Sequence, residues 1–518
     1  MLNLNSVEAD RLHIQQRLDA QKSPQERNRL GQFATPPPLA LEMLTYARSL
    51  LDTESVRFLD PALGTGAFYS AFLSTFEPQR IQSALGYEID LHYAAEAVKL
   101  WKAFPLTIHI EDFTEADPPH EDQKATLVIC NPPYVRHHHL DPDEKVRLRS
   151  TIQRLTGVSL NGLSGLYCYF LGLAHGWMAQ DALAGWLIPS EFMDVAYGKQ
   201  IQEYLLQKVT LLRIHRFNAQ DVQFNDALVS SAVVWFRNRL PPADHVVQFT
   251  YGGSLATPQV TTRISVSDLA KTKKWNLTSL QNLRRSPTAS RKTLSEYFTI
   301  KRGLATGANH FFILSKEQIK AYELPEAFVK PILPSPRYLK DDVIPADRSG
   351  DPLLTSTRYL LSCNLPEHVL RTYYPSLWHY LQKGIAEGIH TNYLCRHRSP
   401  WYSQENRPSA PLLCTYMNRQ NAVTQRAFRF ILNHSNATAP NVYLMLYPKP
   451  DLAEAIINHP ELTPILWTAL NSISVETLKA SGRSYGGGLH KTEPKELGQV
   501  SADVLVQVLQ PYLPAMLI

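Results

Sequence analysis

Through its first half the chain alternates short, densely apolar runs with stretches of helical spacing. The runs Val56–Asp60, Ala84–Glu88, Leu106–Ile110, Thr126–Cys130, Gly185–Ile188, Leu211–Phe217 and Ser231–Phe236 predict seven strands. Ala67–Phe76 and Tyr93–Phe104, lying between early runs, carry helix-compatible spacing. Strands separated by helices imply βαβ units, and therefore a parallel sheet covered on both faces. The last two runs, joined by Asn218–Val229, predict an antiparallel hairpin at the edge of that sheet. The alternation stops at Pro241–Pro242, after which proline, tyrosine, arginine and asparagine become frequent. A composition shift of that kind marks a domain boundary. Two domains are expected, residues 1–245 and 246–518.

Composition narrows the class. With 44% hydrophobic and 19% charged residues over 518 positions, wholesale disorder is excluded. The net charge of +5 permits an acidic partner without demanding one. Five cysteines are widely spread with no CxxC, so neither a disulfide framework nor a zinc ribbon is indicated. The polar first 29 residues lack a signal peptide's apolar core, and no uncharged apolar run is long enough for a membrane span. A soluble, cytoplasmic protein is expected, with no membrane partner.

Four strand ends carry candidate chemistry. Residues 58–68 (FLDPALGTGAF) place Asp60, Gly64 and Gly66 between a strand and a helix, where glycines permit a tight turn against a ligand. The third glycine of a dinucleotide fingerprint and the Lys-Ser/Thr of a phosphate-gripping loop are both missing. Glu88, ending the second strand, is suited to a ribose diol. Asp112 and Phe113, after the third, could hydrogen-bond and sandwich an adenine. Each alone reads more simply as a cap or a core ring. Three successive strand ends fitted to one nucleoside make that simpler reading improbable.

The sharpest motif is Asn131-Pro132-Pro133-Tyr134, directly after the fourth strand. Two prolines remove two N–H donors and fix an extended corner. The Asn131 side-chain oxygen and the Pro132 carbonyl are then acceptors for a planar amino group, with the Tyr134 ring beside them. An isolated proline-rich turn is the plain alternative. Its position at a carboxyl strand end favours a site.

Together these motifs resemble the gamma-class, N6-adenine-specific DNA methyltransferases of restriction–modification systems. Residues 31–36 (GQFATP) resemble that family's N-terminal cofactor motif, and the order of cofactor motifs, catalytic motif and recognition sequence matches the class. Further matches are residues 185–192 (GWLIPSEF), 221–231 (DVQFNDALVSS), 300–309 (IKRGLATGAN), 483–489 (RSYGGGL) and 493–496 (EPKE). The resemblance implies an α/β fold: a seven-stranded Rossmann-like methyltransferase sheet with an antiparallel edge hairpin, then a mixed α/β target-recognition domain. It implies an S-adenosylmethionine pocket lined by Phe33, Thr35, Asp60, Ala62, Gly64, Gly66, Glu88, Asp112 and Phe113. It makes Asn131, Pro132, Pro133 and Tyr134 catalytic, with Tyr134 and Phe224 against a flipped base. Leu63 and Ala305 depart from the family pattern.

Double-stranded DNA is the partner so implied, with a cognate restriction endonuclease as a functional companion and a monomer as the working unit. Between Lys271 and Arg302 nine Lys/Arg face one acid, and between Arg396 and Arg429 six arginines face one acid. Arg284, Arg285, Lys301, Arg302, Arg396 and Arg398 are the candidate DNA contacts. A solvated basic face is the rival for each stretch. His137–His139 lack spacing that would complete a metal site, so no metal is expected. An alternative is a methyltransferase acting on another amino or amide group, a protein glutamine or an rRNA base. A third is a catalytically dead fold kept as a DNA-binding subunit. The large second domain disfavours the second reading, and intact Asn131 and Glu88 disfavour the third.

Overall fold

A computed structural model describes residues 4–51, 53–218, 230–272, 274–276, 280, 292–419, 428–485 and 489–512. It divides into two compact units, the first running to Ser286 and the second from Pro287 onward, with a short excursion near residues 485–487.

The first unit is built on nine strands: β1 (Val56–Asp60), β2 (Ile81–Tyr87), β3 (Thr107–His109), β4 (Ala125–Cys130), β5 (Met178–Pro189), β6 (Thr210–Arg216), β7 (Ser231–Arg237), β8 (Val246–Gly253) and β9 (Pro258–Ser265). Their order is β3-β2-β1-β4-β5-β7-β6-β8-β9. β1 to β5 pair in parallel, and β7 runs antiparallel to both β5 and β6. The seven expected strands are present in a Rossmann-like methyltransferase arrangement, but the sheet does not end there. β8 pairs in parallel with β6, and β9 folds back on β8, so the β6–β7 hairpin is internal rather than an edge. Pro241–Pro242 therefore marks a turn between strands, and the first unit continues past residue 245. A proline pair ends a ladder because it lacks donors, but nothing prevents the chain from returning to the same sheet.

Burial on both faces follows from the alternation along each strand. Phe58, Leu127, Ile129 and Leu187 join the core beneath the helices α3 (Pro37–Leu50) and α4 (Ala67–Thr75). Leu59, Val128, Cys130 and Trp186 join the opposite core, with Phe170 and Tyr204. Two N-terminal helices, α1 (Leu4–Ala20) and α2 (Pro24–Leu30), precede α3. Helix α5 (Leu91–Trp101) follows β2, capped by the Asp90 side chain accepting from the His92 N–H.

The second unit is mixed α/β. Its five-stranded sheet has the order 298–302, 443–448, 412–415, 430–433 and 343–344, and a three-stranded sheet joins 313–314, 358–361 and 329–332. Helices 450–458, 462–471 and 503–509 pack the core of the first sheet.

Candidate active site

The carboxyl ends of β1, β2 and β4 lie side by side: Asp60 is in register with Gly86, and Leu59 with Val128. The chain leaves β1 toward β2 on one side and meets β4 on the other, a topological switch point where open α/β sheets place ligands. A cleft there encloses about 740 Å³ of empty space, its open mouth included. Phe33, Ala62, Gly64, Glu88, Asp112, Phe113, Asn131 and Pro133 line it. Thr35, Asp60, Gly66, Pro132 and Tyr134 are buried and do not line it. Phe224 lies outside the described residues.

The glycine loop is fixed from below. Gly64 and Gly66 both have positive φ, and a Cβ on Gly66 would come within 2.5 Å of Trp101 Nε1. Trp101 Nε1 donates to the Thr65 carbonyl oxygen at 2.9 Å, and the Leu63 N–H donates to Tyr87 O at 2.7 Å. Glu88 bridges loop and strand: its carboxylate accepts from the Gly64 N–H at 2.9 Å and the Asp90 N–H at 2.8 Å. Asp60 accepts from the Ala62 N–H at 3.1 Å, while its Oδ2 is buried with no hydrogen-bond partner among the described residues.

Burial sets the charge of this corner. It pushes the Asp60 carboxyl up to about 8, against the pull of the Ala62 N–H and with help from the nearby Glu88 charge. Glu88 is raised to about 6, again mainly by burial, with the Asp90 and Gly64 N–H groups opposing. Asp90 goes the other way. Burial works against its charge, yet hydrogen bonds from Lys22, Gln32 and the His92 N–H hold its carboxyl below the usual range.

Asp112 accepts from the Thr114 N–H at 2.8 Å and faces the cleft. Phe113 is buried among Tyr87, Phe170 and Trp177, with centroids 5.3–5.5 Å apart. It is a core ring that also lines the cleft.

The NPPY corner is clamped by residues 31–35. The Tyr134 N–H donates to Gly31 O at 3.1 Å. Gly31 has φ +67°, and a Cβ there would lie 2.3 Å from the Tyr134 nitrogen. Asn131 Nδ2 donates to the Phe33 carbonyl oxygen at 2.8 Å and to Thr35 Oγ1 at 3.1 Å. Both amide hydrogens are thus used, and Oδ1 is left buried without a partner among the described residues. The Tyr134 hydroxyl donates to Leu187 O at 3.1 Å, and its ring lies 5.6 Å from that of Phe33.

The candidate DNA contacts of the second unit have different surroundings. Lys301 and Arg396 are exposed. Arg302 is exposed too, but its Nε donates to Asn441 O at 2.9 Å and its guanidinium lies 4.0 Å over the Tyr416 ring. Arg398 is tied inward, donating to Ala305 O at 2.6 Å and Thr306 O at 2.8 Å. Arg284 and Arg285 lie outside the described residues. His137–His139 form a 3-10 turn. Among the described residues no group of three His, Cys, Asp or Glu is placed to hold a metal, and no helix is long and apolar enough to cross a membrane.

Sequence reasoning missed part of the wall. Gln15, Asp19, Gln32, Ile89 and Tyr93 also line the cleft. Gln15 and Asp19 sit on a polar helix without apolar periodicity, so no pattern announces them.

Comparison with known proteins places this geometry. The family model described as Eco57I restriction-modification methylase matches residues 74–223. A second, the C-terminal domain of Type II methyltransferase M.Eco57I, matches residues 272–511. Type II methyltransferase M.AccI of Acinetobacter calcoaceticus is 26% identical over 501 residues, 92% of this chain and 86% of its own. M.XamI of Xanthomonas campestris pv. amaranthicola is 26% identical over 480 residues, 90% of this chain and 84% of its own. Among solved structures, the Type IIL restriction-modification enzyme MmeI in complex with DNA is similar in fold. The TM-score is 0.54 at 14% identity, over 84% of this chain and 65% of that longer one.

Proposed function

The chain belongs to the restriction–modification methyltransferases of the Eco57I type, and from that premise we propose that it methylates the N6 amino group of an adenine flipped out of double-stranded DNA. S-adenosylmethionine is the methyl donor in this reading, and the cleft fits it. Glu88 presents a carboxylate to a ribose diol, Asp112 an acceptor to the adenine amino group, and Phe113 a ring edge to the base. Asp60 and Glu88 have pKa values raised by burial, and a cationic ligand beside them would restore their charge. When bound, the cofactor supplies an electrophilic methyl carried on a sulfonium.

The observation that carries the proposal is the orientation of Asn131. With both amide hydrogens committed to Phe33 O and Thr35 Oγ1, the amide is fixed in orientation and its acceptor Oδ1 is what it has left to offer. An exocyclic amino nitrogen is a poor nucleophile because its lone pair is delocalised into the ring. Accepting its two hydrogens at Asn131 Oδ1 and the Pro132 carbonyl pulls the nitrogen toward a tetrahedral shape and frees that pair. The same two dipoles stabilise the positive charge that develops on nitrogen. Rigid placement of the acceptor corner supplies the rest of the acceleration. Tyr134 and Phe224 would hold the base, which must leave the stack to reach this corner. The second unit, with Lys301, Arg302 and Arg396 at its surface, would bind the duplex.

The reading is tested with methyl-labelled S-adenosylmethionine and duplexes of varied sequence, followed by nucleoside separation. Label is expected in N6-methyladenine at one short sequence. Label in cytosine, or in protein of a lysate but not in DNA, would contradict it.

A further inference from the structure

Helix α1 is held to the cleft by polar contacts. Over its 17 residues only Arg11 and Leu18 are buried. The Arg11 guanidinium grips Glu8 of its own helix at 2.6 and 2.8 Å and donates to Thr65 Oγ1 at 3.0 Å. Thr65 stands between the two glycines of the cofactor loop and in turn donates to Gln15 Oε1 at 2.7 Å. Gln15 Nε2 donates to Asp19 Oδ1 at 2.9 Å, and the Tyr93 hydroxyl donates to the same oxygen at 2.8 Å. Beyond the helix, Lys22 bonds Asp90, the residue that caps α5 and whose N–H holds Glu88. One chain of hydrogen bonds therefore runs from α1 through the glycine loop to the wall of the cleft, which Gln15 and Asp19 themselves line.

We propose that Gln15 and Asp19 are positioning residues of the cofactor site: they fix the Gly64–Gly66 loop through Thr65 and the cleft wall through Tyr93, and an occupied cleft in turn holds α1 down. The inference rests on the cleft being the S-adenosylmethionine site. The argument is energetic. A helix with only Arg11 and Leu18 buried gains only modestly from each hydrogen bond, neutral or charged, because water competes for the same groups. Such a helix samples detached states readily, as weakly packed elements do. A ligand that binds only the assembled wall shifts that equilibrium, and by linkage the helix raises the ligand's affinity by the same factor.

The test uses the full chain with S-adenosylmethionine and S-adenosylhomocysteine. Calorimetry measures affinity, hydrogen exchange follows residues 4–20, and steady-state kinetics separate the cofactor KM from kcat. Asp19→Ala and Gln15→Ala should weaken cofactor binding by about tenfold or more, the loss of one or two charged or buried hydrogen bonds. The change should appear in KM rather than kcat. Asp19→Asn, which keeps the acceptor for Tyr93, should restore most of the affinity. Arg17→Ala, which removes only the outward pair with Glu96, should bind as the parent does. Cofactor should slow exchange across residues 4–20. Parent-like affinity in Asp19→Ala and Gln15→Ala, or exchange in α1 indifferent to cofactor, would overturn the inference while leaving the functional reading intact. An equal loss in Arg17→Ala would overturn it as well, by making α1 a general prop. A parent chain that bound no cofactor would remove the functional reading and this inference together.

Discussion

Thr35 Oγ1 accepts a hydrogen from the Asn131 side-chain amide at 3.1 Å, across 96 positions of sequence. With the Phe33 carbonyl at 2.8 Å, it fixes the orientation of that amide and leaves Oδ1 without a partner among the described residues. The consequence is measurable. Thr35→Val keeps the shape but removes one acceptor, leaving the amide held by a single bond. A neutral hydrogen bond contributes about 0.5–1.5 kcal/mol, so the methyl-transfer step should slow by about twofold to tenfold. Single-turnover rates at saturating cofactor and DNA would show it, with cofactor affinity nearly unchanged.

Gly31 makes a second prediction. Its positive φ disfavours any side chain by about 1–2 kcal/mol, and a Cβ would collide with the backbone of Tyr134. Backbone cannot step aside as a flexible side chain does. Gly31→Ala should lower the melting temperature and reduce turnover by more than about tenfold, because the corner that presents Asn131 is displaced. Unchanged turnover in a folded Gly31→Ala protein would separate residues 31–36 from the chemistry.

Asp60 and Glu88 link the cleft to pH. Their folded values, about 8 and about 6, lie above ordinary carboxylate values, so the native chain binds more protons than the unfolded one in between. Stability must then fall as pH rises from about 4 toward 8, by up to about 1.4 kcal/mol per pH unit for Asp60 alone. Asp60→Asn should flatten this dependence and raise the melting temperature at pH 8, while weakening cofactor binding. Melting curves across that range, with and without S-adenosylmethionine, test both signs. The cofactor should stabilise most at the alkaline end, where Glu88 is ionised and Asp60 is about half ionised behind it.

How far the sequence reached depends on what each element is made of. β1 and β4 are legible to within a residue because both carry mostly apolar side chains and are buried on two faces. β5 was read as Gly185–Ile188, yet it starts at Met178. Exposed Gln180 and Asp181, the latter at φ +61°, interrupt its apolar pattern. β8 and β9 lie past the expected boundary at residue 245 because a proline pair ends the ladder before them, and β9 alternates polar residues as an edge strand does. At the site, residue types and order were legible from the motifs. The direction of the Asn131 amide is not, since it is set jointly by the Phe33 carbonyl and the Thr35 hydroxyl, 98 and 96 positions away in the chain. The α1 wall was invisible for a related reason: polar contacts leave no periodic trace.

Arg396 and Arg398 are two residues apart and should behave differently. Arg396 is exposed, with its guanidinium 5.4 Å from the Tyr393 ring. Arg396→Ala should leave the melting temperature unchanged and, if it meets a phosphate, reduce the salt slope of DNA binding by about 0.9. Arg398→Ala strips the Ala305 and Thr306 carbonyls of their donor. It should destabilise the second unit by about 2–4 kcal/mol. Titrations at several salt concentrations, paired with melting curves, distinguish the two.

The central claim is that an oriented amide oxygen and a proline carbonyl activate the target amino group. Single-turnover methyl transfer by Asn131→Ala, at saturating cofactor and DNA with binding of both verified, tests it most directly. N6-methyladenine should form in the parent and fall by about a hundredfold to a thousandfold in the variant, the scale of removing a preorganised acceptor or donor from a developing charge. Formation at the parent's rate would contradict the account.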